Sequence, residues 1–171
     1  MMKRNILKLL LLLLALGLSA CSDVFFQQPY RVIVEPSQLG YEVEEGRLVV
    51  VQNTAYVEVI PGAPAGRLER YTYVVVDDSG YEVFPGDSLG SGDVGVEIPE
   101  GREEVEEGYR FVSRRSQPFT FSLDGTVAQA HWNQGAPLNW RLRVTWYATT
   151  ANGQPVKWVQ EYQIKLPLTL R

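Results

Sequence analysis

The sequence predicts an all-β protein built on a single antiparallel β-sandwich, and three observations predict it. Val, Tyr, Thr and Trp, which suit a pleated and half-buried surface, are frequent after residue 21. Gly and Pro, 15 and 10 of 171 residues, punctuate the chain at short intervals. No long segment carries the apolar period of a helix. Short alternating segments with turn chemistry between them are the pattern of a sandwich or an irregular barrel.

The first twenty residues stand apart from that pattern. Met1-Met2-Lys3-Arg4 is a positive start, Lys8 adds a cation, and residues 9–18 are almost unbroken leucine, with Ala15 and Gly17 the only smaller residues. A cationic head, a short apolar core and a small-residue exit are the three parts of a secretory signal. A spanning helix needs roughly twenty apolar residues, and Ser22-Asp23 arrives too early for one.

Leu18-Ser19-Ala20-Cys21 closes the run. This stretch resembles a bacterial lipobox, a resemblance that covers about twenty residues, the length of the signal itself. It implies that residues 1–20 are a lipoprotein signal peptide, cut between Ala20 and Cys21, and that the Cys21 thiol carries a diacylglyceryl group with palmitate-like chains. More than one acyl chain is what stable anchoring requires. The expected location is the cell envelope, with the membrane as a partner through the lipid on Cys21. Ser22 resembles the outer-membrane sorting type, which in a cell with two membranes places the protein on the outer membrane, facing the periplasm or the cell surface. Cys21 is also the one cysteine of the chain, so no intrachain disulfide can form.

The formal net charge is −4, and without Lys3, Arg4 and Lys8 it becomes −7. That balance excludes the basic domain expected of a nucleic-acid binder. Residues 21–108 hold 18 acidic and 5 basic side chains, whereas residues 109–171 hold 2 and 8. Neighbouring strands that neutralise one another explain the asymmetry better than a partner surface does.

After Cys21 the elements follow in order. Residues 21–29 are a lipidated short tether with apolar Phe25-Phe26, and residues 30–171 are one domain of ordinary size. Strands are expected at 30–34, 48–52 and 55–60, then a turn at 61–66 and a long strand at 68–77. Asp78-Ser79-Gly80 turns the chain into a short strand at 81–84. A Gly-rich loop occupies 85–93, a strand 94–98, and an irregular acidic segment 99–108. Strands at 109–113 and 118–123 lead to Asp124-Gly125, the strongest short hairpin signal in the chain. A strand at 126–132 follows. The last pair, 140–149 and 156–166, turns at Asn152-Gly153. This succession resembles an immunoglobulin or fibronectin type III domain in pattern, without the cysteine pair of true immunoglobulin domains.

Side chains alternate faces along a strand, so Trp140, Leu142, Val144, Trp146 and Ala148 share one face against Arg141, Arg143, Thr145, Tyr147 and Thr149. In the partner strand Val156, Trp158, Tyr162 and Ile164 share a face. Trp146 and Trp158 are therefore expected in the core.

Candidate sites are few. Ser122, His131 and Asp124 can be assembled as a triad on paper, but the chain has no nucleophile-elbow motif, and a single histidine is usually a surface or hydrogen-bonded residue. One histidine and one cysteine exclude the usual zinc sets. Asp77, Asp78, Asp87 and Asp93 lie beside Gly-rich turns, yet their spacing is not that of a calcium loop, and turn chemistry accounts for them. The run Glu103, Glu104, Glu106, Glu107 reads as a solvated loop. The expectation is a non-enzymatic envelope protein without catalytic residues, metal or cofactor, whose domain contacts an envelope protein. The alternative is a module that binds a glycan or small ligand through exposed aromatic side chains.

Overall fold

The computed structural model describes residues 28–84 and 90–165. It is mostly β, with one short helix, and its sheets pack together around a shared core. Twelve strands are formed among the described residues: β1 Tyr30–Glu35, β2 Leu39–Glu44, β3 Arg47–Val50, β4 Thr54–Val59, β5 Gly66–Val76, β6 Ser91–Ile98, β7 Arg102–Val105, β8 Gly108–Phe111, β9 Arg114–Arg115, β10 Phe119–Thr120, β11 Arg141–Thr150 and β12 Pro155–Lys165. The helix, α1, spans Gly125–Asn133.

One sheet runs β1-β4-β10, with β9 also paired to β4. The other runs β3-β2-β12-β11-β5-β6, and β7-β8 form a separate ribbon. Pairing is antiparallel except between β12 and β2, where Ile164 meets Leu39 and Lys165 meets Gly40 in parallel. The expectation of a purely antiparallel arrangement is corrected at this one joint: the end of β12 reaches β2, formed more than a hundred residues earlier.

The core fills with the faces that the sequence pattern selects. Trp140, Leu142, Val144, Trp146 and Ala148 are all buried, as are Trp158 and Ile164. Trp146 is fully enclosed, and Trp158 keeps 5% of its surface. Across β5, β11 and β12 the row Tyr71–Trp146–Trp158 places ring centroids 5.3 and 6.4 Å apart. From the facing layer Phe121 meets Trp146 at 4.9 Å. Aromatic contacts of this kind add to what area burial gives.

Several local expectations are corrected. Asp124-Gly125 starts a helix instead of turning a hairpin. Asp124 is extended (φ −68°, ψ 138°), and its Oδ1 accepts the Thr126 N–H at 2.7 Å, the geometry of a helix N-cap. Val127, Ala128 and His131 then fall on one buried stripe beside β3. β2 answers to alternating Leu39, Tyr41 and Val43, and it turns into β3 at Glu45-Gly46, both with positive φ. The acidic segment 99–108 is ordered as β7 and the start of its ribbon. Of the strand expected at 81–84 the described part is a single bridge, Val76 to Glu82.

The charge asymmetry resolves across strands. Arg115 pairs with Glu35, Arg141 with Asp78, and Arg110 with Glu103, joining the basic later half to the acidic earlier half.

Candidate functional site

Ala20 and Cys21, together with Phe25 and Phe26, lie outside the described residues. No helix among the described residues is long and apolar enough to cross a membrane.

The paper triad is not brought together. His131 is fully buried, and its Nε2 faces the Pro137 carbonyl at 2.9 Å. A carbonyl only accepts, so Nε2 carries the proton, Nδ1 accepts, and the Tyr41 hydroxyl donates to it at 2.8 Å. Burial holds the His131 pKa below its ordinary 6.5, and the bond to Pro137 opposes this more weakly. Ser122 Oγ accepts the Asn53 N–H at 3.0 Å, and Asp124 caps α1. Each of the three side chains is therefore committed to a different structural bond.

The aspartates behave as turn residues. Asp77 Oδ1 accepts the N–H groups of Ser79 and Tyr81, at 2.8 and 3.1 Å, and Asp78 binds Arg141. Asp93 stands on β6 opposite Arg70, and Asp87 lies outside the described residues. Among the described residues no group of three or more metal-ligating side chains is placed to hold an ion.

What the fold does assemble lies at the end where the chain enters the domain. The Ile60 N–H donates to the Pro29 carbonyl at 3.2 Å, and β1 then runs along β4 from Tyr30 opposite Val59. An open cleft of ≈ 350 Å³ borders this entry, lined by Gln28, Tyr30, Arg31, Glu58, Ile60 and Gln160. Gln160 is committed there: its Oε1 accepts the Val32 N–H at 2.7 Å and the Trp158 indole N–H at 2.9 Å, while its Nε2 donates to the Val32 carbonyl at 3.0 Å. The carboxamide thus does for the free side of β1 what a neighbouring strand would do.

Beside the entry stands the β7–β8 ribbon. Gly101 ties its root to the turn after β4: its N–H donates to the Ala63 carbonyl at 2.9 Å, and its carbonyl accepts from Gly62 at 2.8 Å and Val112 at 3.1 Å. A side chain at Gly101 would collide with the Ile60 carbonyl, so glycine is required there. On leaving β8 the chain returns to the body as β9, with Arg114 opposite Val59 on the far side of β4 from Tyr30. Tyr109 and Phe111 are 60% and 66% exposed, and the Arg102 guanidinium lies 4.3 Å from the Tyr109 ring centroid. On the opposite face Arg110 pairs with Glu103. Sequence reasoning placed a strand at 109–113, where β8 lies, but missed its partner β7 because the glutamates dominate that segment. The available signal was alternation, with a cross-strand charge pair on one face and two aromatic rings on the other.

A scan against protein-family models finds no match, and no curated protein matches the chain. Among solved structures the chain is similar to "X-ray structure of Northeast Structural Genomics Consortium target SoR45", at 12% identity over 82% of this chain and 89% of that one, with a TM-score of 0.42.

Proposed function

We propose that the protein is a lipid-anchored component of the bacterial cell envelope, held through a diacylglyceryl group on Cys21 after cleavage between Ala20 and Cys21. Its domain is a non-enzymatic interaction or structural module, a β-sandwich of the immunoglobulin or fibronectin type III kind. The observation that carries the reading is how soon the domain begins after the lipobox: eight residues beyond Cys21, the Pro29 carbonyl already bonds to Ile60. A domain so close to its anchor works at the membrane surface.

Where the reactive side chains are spent supports binding over catalysis, since His131, Ser122 and Asp124 each serve a separate structural bond. A glycan platform built on Trp146 and Trp158 would require exposed indoles, whereas both are enclosed in the core. The net charge of −7 after cleavage speaks against nucleic acid.

Mass spectrometry of the protein from bacterial membranes tests the anchor. The expected N-terminus is Cys21 with acyl mass, and Cys21→Ser yields an unlipidated, mislocalised precursor. A mature N-terminus elsewhere, without lipid, removes the reading. For the interaction role, one envelope protein is expected both to be retained by the immobilised domain and to crosslink to it in intact cells. Failure of both leaves an anchor without that role.

A further inference from the structure

We infer that the β7–β8 ribbon lies flat on the membrane, with Tyr109 and Phe111 in the lipid interface; this rests on the anchor at Cys21 proposed above. The ribbon's faces come from its register. Cross-strand partners share a face, so Arg102 with Phe111 and Glu104 with Tyr109 form one face, and Glu103 with Arg110 the other. All four residues of β8 are exposed. A two-stranded ribbon with one uncovered aromatic face is marginal in water, and large exposed apolar side chains held together mark a contact surface.

Position selects the lipid surface as what covers that face. Tyr30, where the tether joins the domain, and Arg114, where the ribbon returns, flank the same residue Val59. They are two strand spacings apart, about 10 Å. The eight residues from Ser22 to Pro29 extend at most about 26–29 Å. A domain of this length has a radius of gyration of about 14 Å, so the tether is shorter than the domain is wide. The end bearing Tyr30 and the ribbon therefore stays within reach of the bilayer.

The chemistry fits a flat orientation. Tyrosine favours the headgroup level, with its ring among acyl chains and its hydroxyl in water. Arg102 stacks its guanidinium on Tyr109 and pairs with Glu100 at 2.6 Å, so its charge reaches the headgroup level already matched. Glu106 and Glu107 form the turn of the ribbon, where tip-first insertion would bury two carboxylates; lying flat leaves these two in water and brings Glu104, opposite Tyr109, only to the headgroup level. With Glu103, Glu104, Glu106 and Glu107 against Arg102 and Arg110, the contact draws on apolar burial and not on anionic lipid. A zwitterionic phospholipid surface is the expected partner.

The test uses the full lipidated protein in phosphatidylethanolamine–phosphatidylcholine vesicles. With the Cys21 thiol consumed by lipid, one introduced cysteine carries an environment-sensitive fluorophore, at Phe111→Cys or, as control, at the exposed Val159→Cys. The 111 label is expected to shift to the blue and to be quenched by brominated acyl chains, and the 159 label to do neither. If acyl mass is present on Cys21 and the 111 label is as open to aqueous iodide in vesicles as in the Cys21→Ser protein without them, the inference falls and the anchor stands. Absence of acyl mass removes both. A blue shift that appears without vesicles and grows with protein concentration assigns the face to a second copy and overturns the membrane contact. The unlipidated double variant Tyr109→Ser, Phe111→Ser supplies a second measurement. It is expected to melt as the unlipidated parent does and to lose vesicle partitioning severalfold; unchanged partitioning overturns the inference.

Discussion

At the scale of single residues, the fold depends on polar groups that complete what strands and packing leave open. Gln160 is the clearest case, because one carboxamide satisfies both backbone groups of Val32 and the indole of Trp158. Gln160→Ala would leave the Val32 N–H and the Trp158 indole to find water, and the Val32 carbonyl with the Tyr162 hydroxyl alone. Each such loss costs about 1–3 kcal/mol, so the variant is expected to unfold at clearly lower denaturant concentration with an unchanged m-value. An unaltered midpoint would show that water replaces the amide freely. His131 makes a second prediction, with a sign. Its pKa is held below 6.5 by burial, so the unfolded chain takes up a proton first as pH falls. The stability contributed is complete above about 6.5 and is lost as pH drops through the lower folded value. Measured against His131→Gln, the wild-type protein should lose relative stability as pH falls from 6.5. A constant difference across that range would mean that the histidine takes up its proton equally in both states.

Elements show which physical signals a sequence exposes. β11 and β12 were legible because each has a clean two-residue alternation and both partners lie close in the chain, so local pattern and tertiary burial agree. α1 was not legible, since Asp-Gly is chemically suited both to a two-residue turn and to a helix start. What decides between them is the Val127–Ala128–His131 stripe meeting Tyr41, which is distant in sequence, as well as the nearer Trp140. β2 carries a short local alternation in Leu39, Tyr41 and Val43, but its parallel seam to β12 spans the chain and leaves no local mark. The site proposed to lie beside an anchor divides in two: the stretch that resembles a lipobox is written in consecutive residues, whereas the ribbon's place beside Tyr30 depends on pairings with β4. For α1 the cap is the test. Asp124→Ala removes the acceptor for the Thr126 N–H and is expected to cost about 0.5–2 kcal/mol while leaving the β signal in circular dichroism intact. Asp124→Asn, which caps as well, should restore most of that loss.

Across the whole molecule, the core is rich in tyrosine, and this sets the alkaline limit of stability. Tyr30, Tyr41, Tyr71, Tyr73 and Tyr162 all hold their protons above the ordinary value of 10.0, in each case chiefly because burial disfavours the phenolate, with Asp124 adding to the effect at Tyr71 and Tyr73. Their hydroxyls are structural: Tyr30 donates to the Pro64 carbonyl at 2.9 Å and Tyr162 to that of Val32 at 3.3 Å. In the unfolded chain these groups ionise near 10, so below that pH both states keep the protons and stability is complete. Above it the unfolded state releases protons that the folded state retains, and stability falls as pH rises. Tyr147 differs: on the outer face its hydroxyl hydrogen-bonds with Thr72, and Arg70 and Lys157 flank it, so its pKa is lowered. A spectrophotometric titration should therefore show an early phenolate step that Tyr147→Phe abolishes, with the fold intact. The five tyrosines of the core and its margin should follow only with cooperative unfolding at higher pH. If these five tyrosines ionised smoothly near 10 without loss of structure, the packing of Tyr71, Trp146 and Phe121 would have to be far looser than centroid separations of about 5 Å describe.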